Sequence, residues 1–282
     1  GDEVLVPAVS WSTTFIPLMQ HGLKLKFIDV DLDTLNFDMC QLEQAISSKT
    51  RMIFAVNLLG NSCEWTKLQE IARKNDLIVI EDNCESMGAT FNQRQCGTFG
   101  VMGSFSTFFS HHIATMEGGV IATDDEELYH ILLSLRSHGW TRHLPDSNHV
   151  TGNKSSNKFE ESFKFVLPGY NLRPVEMSGA IGIEQLKKLD AIVEGRRKNA
   201  EYFIKLFENI KEVKIQSEVG KSSWFGFSFI FENADVRNKC IEMMEENGID
   251  VRPIVAGDFT KNPVIKFFDY EIFGNLKNSK KI

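Results

Sequence analysis

Three short stretches hold side chains able to act on a bound molecule. The apolar run Leu77-Ile78-Val79-Ile80 ends in Glu81-Asp82, and a buried strand finishing in acids presents them at the edge where open α/β sheets bind ligands. Further on, Gly103-Ser104-Phe105-Ser106 leads into Ser110-His111-His112, and then into Glu117-Gly118-Gly119. A histidine, with an unperturbed pKa near ~6.5, suits a general base at neutral pH. Adjacent histidines project to different sides of a chain and chelate poorly, which argues against a metal centre. Taken alone, one of the two acids could equally cap a following helix.

The elements that must position these residues follow from periodicity. Short β-branched runs alternate with amphipathic stretches, as in strand–helix units of a mostly parallel sheet. The pattern predicts strands over residues 4–6, 25–30, 52–56, 77–80, 103–105 and 119–123. Asp38 is placed to cap a helix over 39–47, and Thr66 one over 67–74. The polar stretch 142–161 has no apolar period and reads as a long loop, of the kind that often forms a lid or binding segment. After Pro174 a helical pattern runs through Met177, Ile181, Ile183, Leu186 and Leu189, and a second helix is expected over 200–210. A strand at 225–231 and a helix at 235–247, stopped by Gly248, complete the pattern. The expectation is an α/β fold with a large domain over 1–192 and a smaller α/β domain over 193–282.

Composition narrows the function. With 42% hydrophobic and 24% charged residues in 282, the chain reads as globular, and no apolar run reaches the roughly 18 residues of a membrane span. Lys plus Arg number 31 against 38 for Asp plus Glu, a net charge of −7, so there is no general field to attract nucleic acid. Cys40, Cys63, Cys84, Cys96 and Cys240 form no CxxC or CxC pair, which speaks for reduced thiols and a cytoplasmic location, and against zinc. The sequence opens at Gly1-Asp2-Glu3-Val4 without a Met and stops at Lys280-Lys281-Ile282 in what reads as mid-helix; both ends read as those of a fragment.

In order and spacing, Asp82, Phe105-Ser106, His111 and Glu117-Gly118-Gly119 resemble the sugar aminotransferase family named after DegT, DnrJ, EryC1 and StrS. The resemblance begins at Gly1-Asp2-Glu3-Val4 and Pro7, and passes Trp11, Gly60, Glu81-Asp82 and Gly97-Thr98-Phe99-Gly100. It continues through Gly169-Tyr170-Asn171-Leu172-Arg173 to Gln185-Leu186 and 225–231. Each motif is weak singly; the ordered set is specific. It implies the aspartate aminotransferase-like architecture (fold type I) of enzymes dependent on pyridoxal 5′-phosphate. In that family a lysine six residues before the Glu of Glu-Gly-Gly binds the cofactor, and the same count back from Glu117 lands on His111.

The resemblance also assigns roles. Asp82 would stand beside the pyridine nitrogen and favour its protonated form. Trp11 would stack on the ring, although a core aromatic is the alternative. Ser106 would hold the phosphate, and Asn171 would reach the cofactor of a neighbouring subunit, which implies a homodimer with shared sites. Glu85 stands where many relatives carry His or Gln beside the ring, an exposed glutamate at a helix start being the other reading. The Gly/Ser segment whose backbone binds the phosphate in the family would lie before Gly1.

Without lysine at 111 the cofactor cannot be tethered there, so pyridoxamine 5′-phosphate becomes the natural working form. A histidine base then favours expulsion of a sugar's C3 hydroxyl over amination. In this respect the chain is similar to the 3-dehydratases that make 3,6-dideoxyhexoses for lipopolysaccharide O-antigen, which act on nucleotide-linked 4-keto-6-deoxy sugars and regenerate pyridoxamine phosphate with glutamate. An iron–sulfur branch of these enzymes carries a CxC pair; Ser137-His138-Gly139-Trp140-Thr141-Arg142 has no cysteine. Two rivals stand: an aminotransferase using a lysine from elsewhere, and a noncatalytic remnant that binds sugar nucleotides or a partner.

Overall fold

The computed structural model describes residues 1–282. Runs with no polar face become strands buried on both sides: in β1 (Glu3–Pro7) every residue is buried, and both its neighbours pair in parallel. The chain continues through α1 (Ser12–Gln20), β2 (Lys24–Ile28), α2 (Met39–Gln44), β3 (Thr50–Val56), α3 (Trp65–Lys74) and β4 (Ile78–Asp82). A tight hairpin, β5 (Thr90–Phe91) and β6 (Arg94–Gln95), precedes β7 (Met102–Ser106), β8 (Gly119–Ala122) and α4 (Glu126–Leu135). A small pair, β9 (Ser147–Asn148) and β10 (Gly152–Asn153), and the single turn α5 (Lys158–Glu161) interrupt the stretch read as a loop. Then come α6 (Glu176–Leu186), α7 (Leu189–Phe207), β11 (Val213–Ile215), β12 (Phe229–Phe231), α8 (Ala234–Glu246) and β13 (Tyr270–Ile272).

The main sheet has seven strands in the order β13-β2-β1-β3-β4-β7-β8, parallel except for the antiparallel β7/β8 pair. The carboxyl ends of β1, β3, β4 and β7 therefore share one edge, where ligands bind in open α/β sheets. Strand alternation feeds a core on each face. Leu5, Ile53 and Val79 pack with Trp65, Leu68 and Ile71 of α3, whereas Val4 and Val6 pack with Phe15 and Leu18 of α1. Phe259, Phe268 and Leu276 join that second core, so the end of the chain returns to the main sheet; residue 192 falls within α7.

Asp38 caps α2, accepting from the N–H groups of Cys40 and Gln41. Thr66 does not cap α3. That helix starts at Trp65 with Glu64 before it and no side-chain cap, because Trp65 is drawn into the core against Phe99 with ring centroids 4.9 Å apart. The helix expected at 200–210 begins at Leu189. The strand expected at 225–231 shrinks to Phe229–Phe231, since Ser223 and Phe225 donate their N–H groups to Gly60 and Leu59 instead. The end of the chain is a series of turns, not mid-helix, held where the N–H groups of Asn278 and Ser279 bind Asp29.

Candidate active site

Alternation on β4 separates the two acids. Glu81 follows Val79 onto one face and is fully buried. Its carboxylate accepts N–H bonds from Gly97 (2.6 Å), Gly100 (2.8 Å) and Phe99, so the Gly97-to-Gly100 motif wraps a structural acid. Burial pushes the Glu81 pKa up and these bonds oppose it. The wrap needs close approach: a Cβ on Gly103 would lie 2.0 Å from the Gly97 oxygen.

Asp82 faces the other side, at the carboxyl edge. Thr14 Oγ1 donates to its Oδ2 at 2.7 Å, the Cys84 N–H donates to its Oδ1 at 3.1 Å, and Ser10 shares a 2.8 Å hydrogen bond with Thr14. No helix follows β4, so the capping alternative falls away for both acids. Glu85 is half-buried and also starts no helix; its Oε2 accepts the Leu59 N–H at 2.9 Å. Burial, then the charge of Asp82, push its pKa up to about 7, against the Leu59 bond and Arg252. Leu59 itself has a φ of 55°, left-handed for a residue with a side chain. Trp11, just beyond β1 at the start of α1, is 59% exposed, which is not the environment of a core aromatic.

The loop between β7 and β8 carries His111. It is pinned at its base, where Thr107 N–H binds Gly118 O at 3.0 Å and Thr115 N–H binds Thr107 O at 2.8 Å. The His111 ring packs between Phe108 and Phe225, centroids 5.9 and 5.0 Å away, and its Nδ1 is buried without a partner. Burial lowers its pKa, Arg252 lowers it further, and the nearby Asp82 charge pulls it back. His112 is buried, and its Nε2–H donates to Ser223 O at 3.1 Å; burial foremost brings its pKa down to about 4. Ser106, at the end of β7, accepts the Phe108 N–H at 3.2 Å, which leaves its own hydroxyl proton to donate.

Trp11, Asp82, Glu85, Ser106 and His111 thus come from the carboxyl ends of neighbouring strands or the loops just beyond them. Asn171 stands apart, in an exposed groove with Arg136, His143, Arg173 and Glu176, and pairs with Ser137. Sequence reasoning missed Thr14, Arg252 and Phe225 as neighbours of this edge. They come from the first helix and from more than 100 residues beyond His111, and no local pattern marks them.

The profile of the DegT/DnrJ/EryC1/StrS aminotransferase family matches residues 1–282. The chain belongs to this family. It is 58% identical over 283 residues to a GDP-4-keto-6-deoxy-D-mannose 3-dehydratase of Escherichia coli O55:H7, covering 99% of this chain and 73% of that protein. The enzyme of the same name from Yersinia pseudotuberculosis is 58% identical over 285 residues, 100% of this chain and 72% of the relative. A crystal structure of a GDP-4-keto-6-deoxymannose-3-dehydratase with a trapped PLP–glutamate geminal diamine superposes with a TM-score of 0.97 at 57% identity, covering 100% of this chain and 74% of that one. The fold of this DegT/DnrJ/EryC1/StrS member is accordingly that of the pyridoxal phosphate-dependent aminotransferases.

Proposed function

We propose that the chain is a pyridoxal/pyridoxamine 5′-phosphate-dependent 3-dehydratase acting on a nucleotide-linked 4-keto-6-deoxy sugar, GDP-linked as in its relatives, for the dideoxysugars of lipopolysaccharide O-antigen. The observation that carries this reading is His111, an imidazole with lowered pKa that takes the place of the family's lysine on the same edge as Asp82.

The residues fit the cofactor. Trp11 offers a large exposed aromatic face, Asp82 is a carboxylate fixed by two donors, and Ser106 has a hydroxyl proton to give to a phosphate. When bound, the cofactor supplies a primary amine that joins the sugar carbonyl and a ring that withdraws electrons. Asp82 would keep the ring nitrogen protonated, Trp11 would fix the ring plane, and Glu85, whose pKa burial pushes up to about 7, would stand beside the ring. His111 would serve as the base toward the carbon that bears the amine, a role that only a neutral imidazole can fill. The imidazolium so formed would return its proton to the sugar's C3 hydroxyl, which would leave as water.

An aminotransferase would need a lysine here, and the one buried lysine, Lys26, is paired with Glu3 at 3.0 Å, where β1 begins, away from this edge. Glutamate is the amino donor in this reading, supported by the adduct held in the related crystal structure. Leu172, Val175, Met177, Ile183 and Leu186 are each at least 60% exposed beside Asn171, an apolar face that fits a homodimer in which Asn171 completes the partner's site.

Incubation with GDP-4-keto-6-deoxymannose, pyridoxal phosphate and glutamate is expected to yield the 3-deoxy sugar and ammonia; a 4-amino sugar as sole product overturns the reading.

A further inference from the structure

Four consecutive carbonyls, those of residues 222–225, are each taken by a side chain. Arg197 Nε donates to Ser222 O at 2.8 Å, and Arg196 Nη1 donates to Trp224 O at 3.0 Å and to Phe225 O at 2.8 Å. Ser223 O takes the Nε2–H of His112 at 3.1 Å. On its other side the strap is bound to the 58–60 turn: Ser223 and Phe225 donate N–H bonds to Gly60 O and Leu59 O at 2.9 and 3.0 Å, and Ser222 Oγ donates to Gly60 O at 2.8 Å.

Trp224 within the strap has a φ of 48°, a left-handed conformation that a bulky residue keeps only when its surroundings impose it. The strap is therefore a rigid body tied to α7 and to the turn that holds Glu85. His112 is the one carbonyl partner that comes from the loop of His111. Both histidines also rest on the strap's Phe225, with centroids 5.0 Å away for His111 and 5.8 Å for His112. Elsewhere the loop is held at its base by the bonds between Thr107 and Thr115 and by Ser178 Oγ, which donates to Thr115 O at 3.2 Å, so His112 makes the side-chain hydrogen bond that joins the loop to the strap.

We propose that His112 is a positioning residue, whose hydrogen bond to Ser223 clamps the loop onto this strap and holds the His111 ring against Phe225, on the edge that carries Asp82. The clamp requires an N–H at Nε2, and because burial keeps the His112 ring neutral, the single ring proton sits on that nitrogen. Arg196 is the other charge packed near it, and Arg252 and Asp82 are those acting on His111. The inference rests on His111 as the base, but its structural half is testable without turnover.

Two variants separate the clamp from mere packing. His112→Leu keeps an apolar body and removes the donor; His112→Gln restores an N–H near the position of Nε2. With the cofactor-loaded enzyme, the Leu variant is expected to lose about tenfold to hundredfold in kcat, as misplacement of a catalytic group does, with KM for the sugar nucleotide within about twofold. Its acid limb should move up toward the ordinary histidine value as the His111 ring is released from burial, and the Gln variant should regain most of the rate. In parallel, the His111 imidazole is titrated by NMR on histidine-labelled protein without substrate, and its pKa should rise in the Leu variant and return in the Gln variant. Unchanged kcat or an unmoved His111 titration in the Leu variant overturns the proposal, as does a loss that Gln fails to rescue. If the parent protein does not dehydrate the sugar but the titration behaves as stated, the dehydratase reading fails while the clamp stands.

Discussion

Helices α3 and α6 are ten and eleven residues long and meet opposite fates. α3 alternates Trp65, Leu68, Ile71 and Ala72 with charged residues and buries those four against the sheet. α6 carries Met177, Ile181, Ile183 and Leu186 and buries none of its residues within the chain. A narrow apolar stripe finds its full cover in the same chain, whereas α6 and the segment before it touch Thr115 through Ser178 and leave Met177, Ile183 and Leu186 exposed. The first region holds the sheet whose edge carries the chemistry. The second holds Asn171, which no residue of that edge meets in the same chain.

The largest effect is expected at the completed edge. His111→Asn should lower dehydration turnover by about 10²–10⁴-fold, the range for loss of a general base, with an unchanged far-ultraviolet spectrum; stopped-time product assays read it. Trp65→Ala removes the largest fully buried side chain and should cost about 3–5 kcal/mol in urea denaturation. A cost below about 1 kcal/mol would mean α3 is no better anchored than α6.

His112 gives a pH test of the same region. The unfolded histidine protonates near ~6.5 and the folded one only at about 4, so between those values the unfolded state binds more protons. Its contribution is fully present above pH 6.5 and is lost as pH falls toward 4, by on the order of 3 kcal/mol at ~1.4 kcal/mol per unit. Denaturation curves at pH 7.5 and 5, compared with those of His112→Gln, isolate it. The smallest change in chain stability is expected in α6. Met177→Asp with Ile183→Asp should leave unfolding of the isolated chain within about ±0.5 kcal/mol per site while abolishing dimers in sedimentation; a large loss of chain stability would show that this face of α6 is covered within its own subunit.

Much of this was legible in one dimension because the signals are local. Most of the first six sheet strands are short runs carrying Val or Ile, and Asp38 caps its helix through bonds only two and three residues away. The position of His111 relative to Glu117-Gly118-Gly119 is a count along the chain. What escaped was contributed from afar. Glu81 and Asp82 are neighbours in sequence, and only the pleat assigned one to a backbone nest and the other to the ligand edge. The run 225–231 has strand character throughout, but the left-handed turn at Trp224 and the N–H bonds to Leu59 and Gly60 shortened it.

By itself the sequence determined the alternation of strands and helices, the family, and the replacement of a tethering amine by an imidazole, since each depends on residue type and spacing along a continuous chain. Tertiary structure decided the environment of that imidazole. Phe225 and Arg252 lie 114 and 141 positions beyond it, and burial under the one with the charge of the other lowers its pKa, against the pull of Asp82. Desolvation and Coulomb forces act through space, so proximity that only folding creates is what makes His111 a candidate base.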